Sequence, residues 1–243
     1  MTTLRSIASS KPRLLVTTVE KKEYLTPTAL MVRLHLARGE AIHFKAGQHI
    51  VLKIPAGDAV FDRPFSIASS PQKTDSFDLF AKIISGGVAS DFLERIEEGD
   101  VVHAYGPKGS FIIQPLRRRI FFLAANTGIA PLYSMMHEVL KIRKAIIPVQ
   151  CLFFIQNEKE LFLNDELSAL QSAHTNFSFS IIFTQPKVKS DAPIDFSACV
   201  EAAGMHTDAD MYLCGGTNFI HDMCALLSKQ GVQKRRMHFE RFK

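Results

Sequence analysis

Asp62-Arg63-Pro64-Phe65-Ser66-Ile67-Ala68-Ser69-Ser70-Pro71 brings a fixed cation, a stiffening proline, an aromatic plane and a small hydroxyl together in adjacent positions. These residue types suit a flavin cradle. The guanidinium meets a phosphate, the proline stiffens the backbone, the aromatic lies against a ring system, and the hydroxyl hydrogen-bonds a ring nitrogen. A tetrapeptide alone is weak evidence. Its weight comes from later stretches that ask for the same ligand or for its redox partner.

Around this stretch, residues 13–113 read as short apolar runs at 13–22, 29–36, 49–54, 64–68, 77–84 and 101–105. Thr26-Pro27, Ala46-Gly47, Ala56-Gly57-Asp58, Ser70-Pro71, Glu98-Gly99-Asp100 and Gly106-Pro107 punctuate them as turns. Six strands at this pitch predict a small antiparallel barrel. One short helix over 90–96 interrupts them, with Ser90 as its N-cap. Past Gln114-Pro115 and Arg117-Arg118-Arg119 the pattern alternates. Strands are expected at 120–124, 149–155, 177–183, 211–214 and 233–239, and helices at 129–142, 165–172, 197–203 and 219–229. Apolar strands without polar alternation, joined by helices, predict a parallel sheet covered on both faces. The expected organisation is therefore a polar, flexible leader over 1–12, a six-stranded antiparallel barrel over 13–116 and a parallel-sheet α/β nucleotide-binding domain over 117–243.

Composition excludes several classes. The 243 residues are 47% hydrophobic and 22% charged, ordinary for a globular chain with room for two domains. The net charge of +5 is scattered apart from residues 117–119 and 234–236, without the concentrated basic face of a nucleic-acid binder. Cys151, Cys199, Cys214 and Cys224 have neither CxxC spacing nor a paired framework, so no zinc or iron–sulfur site is expected and a reducing cytoplasm fits best. No secretory leader and no apolar run of about 20 residues is present, so a soluble protein with no transmembrane segment is expected. The histidines lack metal-ligand spacing, and GxSxG is absent.

Gly86-Gly87-Val88-Ala89-Ser90 joins a strand to a helix, so backbone N–H groups and the positive helix end converge where Arg63 supplies a cation: a pyrophosphate site. A plain turn and cap is the structural alternative for a Gly-Gly pair. Arg63-Pro64-Phe65-Ser66 followed by Gly87-x-x-Ser90 resembles the flavin motif pair of the ferredoxin–NADP reductase superfamily. The resemblance implies that Arg63 meets the FAD pyrophosphate, Phe65 packs on the isoalloxazine, Ser66 faces flavin N5, and Gly86 to Ser90 cap the phosphates. It adds Ala81-Lys82-Ile83 beside the cofactor. Phe65 stands where the family more often has Tyr. Gly106-Pro107-Lys108-Gly109-Ser110-Phe111 is similar to the family's GPxGxF loop, although a tight turn accounts for it equally well.

Leu123-Ala124-Ala125-Asn126-Thr127-Gly128-Ile129-Ala130-Pro131 ends a strand and opens a helix, where a dinucleotide pyrophosphate belongs. It resembles the family's AGGTGIAP segment, with Ala125 and Asn126 in place of two glycines, and implies nicotinamide-side roles for Thr127, Gly128 and Ile129. Tyr212-Leu213-Cys214-Gly215-Gly216-Thr217-Asn218-Phe219 resembles YxCGPxxM, with Gly216 and Phe219 replacing Pro and Met. The resemblance places Cys214, with Gly215 and Gly216, beside nicotinamide C4. A buried structural thiol is the alternative. His238-Phe239-Glu240-Arg241-Phe242-Lys243 is similar to the family's ExF ending, where Phe242 covers the ring or simply anchors the last strand. The adenosine region departs from pattern. Gln156-Asn157-Glu158 replaces Gly-x-Arg, and Gln185-Pro186-Lys187-Val188-Lys189-Ser190 replaces a tryptophan- and glycine-containing loop. Lys187 and Lys189 allow NADPH, and Glu158 allows NADH.

The resemblance spans nearly the whole chain from Arg13 and implies an FAD-dependent NAD(P)H oxidoreductase. FAD would be tightly bound, and electrons would pass to a separate acceptor: a ferredoxin, an oxygenase component or a small molecule. Ser66, Thr127, Cys214 and Phe242 are its expected catalytic residues. An NAD(P)H:free-flavin reductase is the nearest alternative. A flavin-binding regulatory module with impaired nucleotide use, motivated by Asn126 and Gly216, is the alternative from another class.

Overall fold

β1 (Arg13–Thr26), β2 (Ala29–Leu36), β3 (His49–Ala56), β4 (Ala59–Ser66), β5 (Ser76–Lys82) and β6 (Val101–Lys108) form one antiparallel sheet of order β4-β3-β6-β1-β2-β5 in a computed structural model that describes residues 10–184 and 196–242. Alternation folds this sheet around a core. Along β1, Leu15, Thr17 and Val19 are buried while Leu14 and Val16 face out. A bridge from Ile67 to Leu79 links the chain beyond β4 to β5, joining the two edges of the sheet. Helix α1 (Val88–Arg95) supplies Leu93 to the same core, with Ile96 just past its end.

Two local expectations need correction. The fourth strand begins at Ala59 rather than 64, because Gly57-Asp58 closes a two-residue hairpin between Ala56 and Ala59, with Gly57 at φ 59. Pro64 then lies inside a strand, which its missing N–H permits only because β4 is an edge. The helix expected over 90–96 begins at Val88, and its N-cap is Gly87, not Ser90.

β7 (Ile120–Ala125), α2 (Ile129–Met136), β8 (Val149–Ile155), α3 (Asn164–Ala173), β9 (Phe177–Phe183), α4 (Phe196–Ala202), β10 (Asp210–Gly216), α5 (Thr217–Lys229) and β11 (Met237–Phe242) come next along the chain. Their strands form an all-parallel sheet of order β11-β10-β7-β8-β9. Residues 120–124 of β7 are wholly buried, as the unbroken apolar run requires. The chain steps outward from β7 through β8 to β9 and returns on the other side of β7 as β10. The order therefore reverses between β7 and β10, where ligands of such sheets bind beyond the strands' C-terminal ends.

The helix begun by α2 runs on as a π-helical turn over His137–Ile142. Met1–Ile113 with Tyr133–Arg143 forms one compact unit, and Gln114–Leu132 with Lys144–Lys243 the other. No helix among the described residues is long and apolar enough to cross a membrane.

Candidate functional site

The edge position of β4 determines what its side chains can do. Cross-strand partners share a face, so Phe61, Arg63 and Phe65 lie beside Ile54, Leu52 and Ile50 of β3. Those three β3 residues are fully buried, whereas Arg63 is exposed, Phe61 is 36% exposed and Phe65 half-buried. β4 thus carries the core face out to solvent. Arg63 Nη1 donates to the Asp62 carbonyl at 2.9 Å, and the guanidinium lies 5.4 Å from the Phe61 ring centroid. The adjacent Asp62 carboxylate is held by Lys53, at 2.8 and 2.9 Å. Among the described residues no carboxylate pairs with Arg63, which leaves its fork available to an anion.

Phe65, Ile83, Val88, Ala89 and Phe92 are partly buried and pack against the barrel core. Pro64 is exposed and Ser66 is 5% exposed. Ala81 is buried, Lys82 exposed, and the Ile83 amide donates to the Thr28 carbonyl at 2.8 Å. At the head of α1 the Val88, Ala89 and Ser90 amides belong to a first helical turn, which has no intrahelical acceptor for them. Gly86, at φ 72, turns the chain into this helix. Ser90 Oγ accepts from the Ile84 amide at 2.8 Å, so this serine braces the loop instead of capping the helix. Asp91 is the carboxylate of that turn. Partly buried apolar side chains, a cation with no carboxylate and a row of helix-starting amides together fit a flavin nucleotide.

His49 has no motif of its own in the sequence. The structure pairs it with Ser66 on one side and Lys108 on the other. Burial, and then the Lys108 charge, push its imidazole below the ordinary range, which favours the neutral ring.

The second half-site lies at the order reversal of the parallel sheet. β7 and β10 run side by side, with Ala124 opposite Cys214. Asn126-Thr127-Gly128 forms a short 3-10 turn into α2, and Gly216 caps α5. Two helix N-termini therefore open at neighbouring strand ends, and neither first turn contains a carboxylate. This donor set fits a dinucleotide pyrophosphate. Asn126 has φ 50, in the left-handed region that glycine favours and asparagine tolerates better than most residues. Gly128 packs directly on β10: a Cβ there would lie 2.3 Å from the Cys214 carbonyl oxygen. Thr127 is 6% exposed and Ile129 is buried.

Cys214 is completely buried. Its thiol pKa is pushed well up, first by burial and then by Glu240 on β11, against a lowering hydrogen bond from the Gly215 backbone. It is a neutral thiol at physiological pH. Phe242 ends β11 in register with Gly216, so the aromatic of the tail stands at the same strand end. Glu158 opens an exposed 3-10 turn just after β8. Lys187 and Lys189, Lys243 and most of the expected leader lie outside the described residues.

The oxidoreductase FAD-binding domain family matches residues 16–113, and the oxidoreductase NAD-binding domain family matches residues 122–225. Ferredoxin--NADP reductase B of Sorangium cellulosum is 28% identical over 229 residues, covering 90% of this chain and 93% of that protein. The toluate 1,2-dioxygenase electron transfer component of Pseudomonas putida is 25% identical over 220 residues, again 90% of this chain. The chain spans 64% of that protein's length. Among solved structures, an Amycolatopsis cytochrome P450 reductase superposes with a TM-score of 0.85 at 24% identity, over 95% of this chain and 70% of that one, a likeness of fold.

Proposed function

Because the chain belongs to the ferredoxin–NADP reductase superfamily and is a flavin-dependent oxidoreductase with FAD- and NAD-binding domains, we propose that it takes electrons from NAD(P)H and hands them to a separate acceptor. The observations that support this reading are an exposed, carboxylate-free Arg63 on β4 and the helix-starting amides of α1 within the FAD-binding match, and paired helix N-termini at neighbouring strand ends within the NAD-binding match. Flavin, when bound, supplies two-electron acceptance from the nicotinamide and one-electron delivery onward.

The chain's own residues then have distinct tasks. Arg63 and the amides from Gly86 to Ser90 hold the pyrophosphate of FAD, Phe65 bears on the ring, Ser66 hydrogen-bonds at flavin N5, and Ala81 to Ile83 border the cofactor. Thr127, Gly128 and Ile129 present the α2 amides to the nicotinamide nucleotide. Cys214, Gly215 and Gly216 form the adjoining wall, and Phe242 screens that strand end. Cys214 acts as a neutral, close-packed thiol, not as a nucleophile, since burial opposes the thiolate. The four cysteines are dispersed, with Cys151 and Cys214 buried within strands, so these residues offer no cysteine-ligated centre to take the electrons. The acceptor's class is suggested by the relative named as an electron transfer component of a dioxygenase and by the one named as a ferredoxin–NADP reductase.

The test is the absorbance spectrum of the purified protein before and after anaerobic addition of NADH or NADPH. A flavin band that survives gel filtration and bleaches with nucleotide is expected. A folded protein that takes up no flavin overturns the reading, and one that loses flavin on the column while reducing it in solution points to free flavin as substrate. Arg63→Ala is expected to fold normally and to bind FAD about 10- to 100-fold more weakly, the scale of a lost charge-assisted hydrogen bond, measured by flavin fluorescence.

A further inference from the structure

We propose that the N-terminal edge of the parallel sheet, the end opposite the nucleotide half-site, is a docking surface for an anionic phospholipid membrane. The two cation clusters of the sequence, Arg117-Arg118-Arg119 and Lys234-Arg235-Arg236, stand far apart in the chain and have no task at the flavin or the nucleotide. Parallel topology brings them together. Arg119 immediately precedes β7 and Arg236 immediately precedes β11, and β10 runs between those strands with Asp210 opposite Ile120 and Met211 opposite Met237. Two strand spacings, about 10 Å, therefore separate the clusters. Both are tied to the segment that leads into β10. Arg236 Nη1 donates to the Thr207 carbonyl at 3.1 Å, and the Asp210 amide donates to the Arg119 carbonyl at 3.0 Å.

Little at this edge neutralises the cations. Arg117, Arg118, Lys234 and Arg235 are exposed, and Arg235 Nε donates to the neutral Gln233 Oε1 at 2.9 Å. Among the described residues, the carboxylate that meets the set is Asp208, 3.7 Å from Arg119 and itself 65% exposed. Asp210 is half-buried and bears on His238. The edge is thus a field of one sign, answered by phosphates or carboxylates.

The apolar part of the same edge selects a lipid surface among those anions. The chain enters β8, the neighbour of β7, through Ala145-Ile146-Ile147-Pro148. Just ahead of β9, Asn176 Nδ2 donates to the Ala145 carbonyl at 2.8 Å and to the Ile147 carbonyl at 2.7 Å, which pins the turn on both sides of Ile146. Ile146 is nevertheless 91% exposed, more than any other large hydrophobic residue described. A pinned aliphatic side chain beside a line of cations is an interfacial arrangement: the aliphatic group enters the acyl boundary while the cations stay among the headgroups. A cleft of about 410 Å³, whose lining includes Arg119, Pro148, Asn176 and His206, opens between the two features with room for a headgroup. An electron-acceptor protein fits this edge poorly, because β7 and β10, of six and seven residues, put it about 20 Å from the strand ends assigned to the nicotinamide.

The test is co-sedimentation of the full chain with vesicles of phosphatidylcholine alone and of phosphatidylcholine with an equal part of phosphatidylserine. Binding is expected to the mixed vesicles only, and to weaken as salt is raised. Each cation at such a surface is worth roughly fivefold in partition, so Arg117→Ser/Arg118→Ser should weaken binding about tenfold or more. Ile146→Ser should weaken it while leaving the salt dependence in place. Lys11→Ser/Arg38→Ser removes the same charge from exposed positions of the barrel unit and should leave binding unchanged. All the substituted residues are exposed, so circular dichroism should match the wild type throughout. The inference is overturned by no binding to mixed vesicles, by equal binding to phosphatidylcholine alone, by equal losses in the two double variants, or by an Ile146→Ser variant that binds as the wild type does. Tighter binding of poly-glutamate or of a short DNA duplex than of the mixed vesicles also overturns it, assigning the edge to an acidic protein or to a nucleic acid. None of these readouts depends on flavin or nucleotide binding.

Discussion

At single residues, burial biases protonation state. Cys214 is held as a neutral thiol by burial, and His49 and His238 are held toward the neutral ring, each chiefly by desolvation. For His49 the Lys108 charge adds to that effect, whereas for His238 Asp210 opposes it. A histidine whose folded pKa lies below the ordinary 6.5 is neutral in both states above that value, so its contribution to stability is complete there. As the pH falls below 6.5 the unfolded chain takes up the proton first, and stability declines until the folded pKa is passed. Denaturant midpoints should therefore drop as the pH falls through and below 6.5. His49→Gln and His238→Gln should each flatten part of that drop. A decline of unchanged steepness in both variants would show that other groups carry it. Arg63 represents the complementary case: its neighbouring carboxylate is already engaged by Lys53, and its own guanidinium donates to the Asp62 carbonyl.

Between elements, close backbone approach matters more than charge. The turn from β7 into α2 can lie on β10 only because residue 128 lacks a Cβ, which would sit 2.3 Å from the Cys214 carbonyl oxygen and 2.8 Å from the Gly215 nitrogen. Both are backbone atoms that cannot rotate away. Gly128→Ala is expected to cost roughly 1–3 kcal/mol, seen as a lower thermal midpoint, and to weaken ADP-ribose binding by displacing the α2 amides. Gly216→Ala is the control. Its added Cβ would meet nothing within 4 Å and its φ is −64, so stability should be unchanged. Much of this is legible in the sequence, because β2, β8 and β9 are bounded by turn residues and patterned by burial, and their spans match those expected. The stretches read as flavin and nucleotide sites fall within the FAD- and NAD-binding domain matches, where glycines and a charged edge residue mark them in the sequence. What pattern does not reveal is long-range. β4 reads too short from sequence because Val60 and Phe61 are exposed and show no alternation, and Ser90 reads as a cap because its real partner, the Ile84 amide, lies across a loop. The pairing of His49 with Ser66 exists only in the register of β3 and β4.

At the scale of the molecule, compact units and sequence-defined domains do not coincide. The FAD-binding match ends at residue 113, yet the compact unit built on the barrel also includes Tyr133–Arg143. That helical segment is bonded into the barrel's loops. Ser134, wholly buried, donates its hydroxyl to the Ser69 carbonyl at 2.7 Å, just beyond the Ser66 strand end. Glu138, 5% exposed, accepts from the Ala46 amide at 3.2 Å and is paired with Arg143. Tyr133 lies with its ring centroid 6.4 Å from that of Phe80 on β5. A fragment ending at Ile113 would lose all of these, opening the Ala46 amide and the Ser69 carbonyl to solvent and removing Met135 from beside Gly47. Each intramolecular hydrogen bond exchanged for water costs about 0.5–1.5 kcal/mol, a sizeable share of the stability of a small domain. The fragment is thus expected to unfold at lower urea than the full chain, to bind a hydrophobic dye, and to hold FAD poorly even though every residue assigned to the flavin is present. Supplying residues 129–143 through a flexible linker should restore a cooperative transition and flavin binding. A fragment ending at Ile113 that already binds FAD as tightly as the full chain would show that the borrowed helix has no part in shaping the flavin half-site.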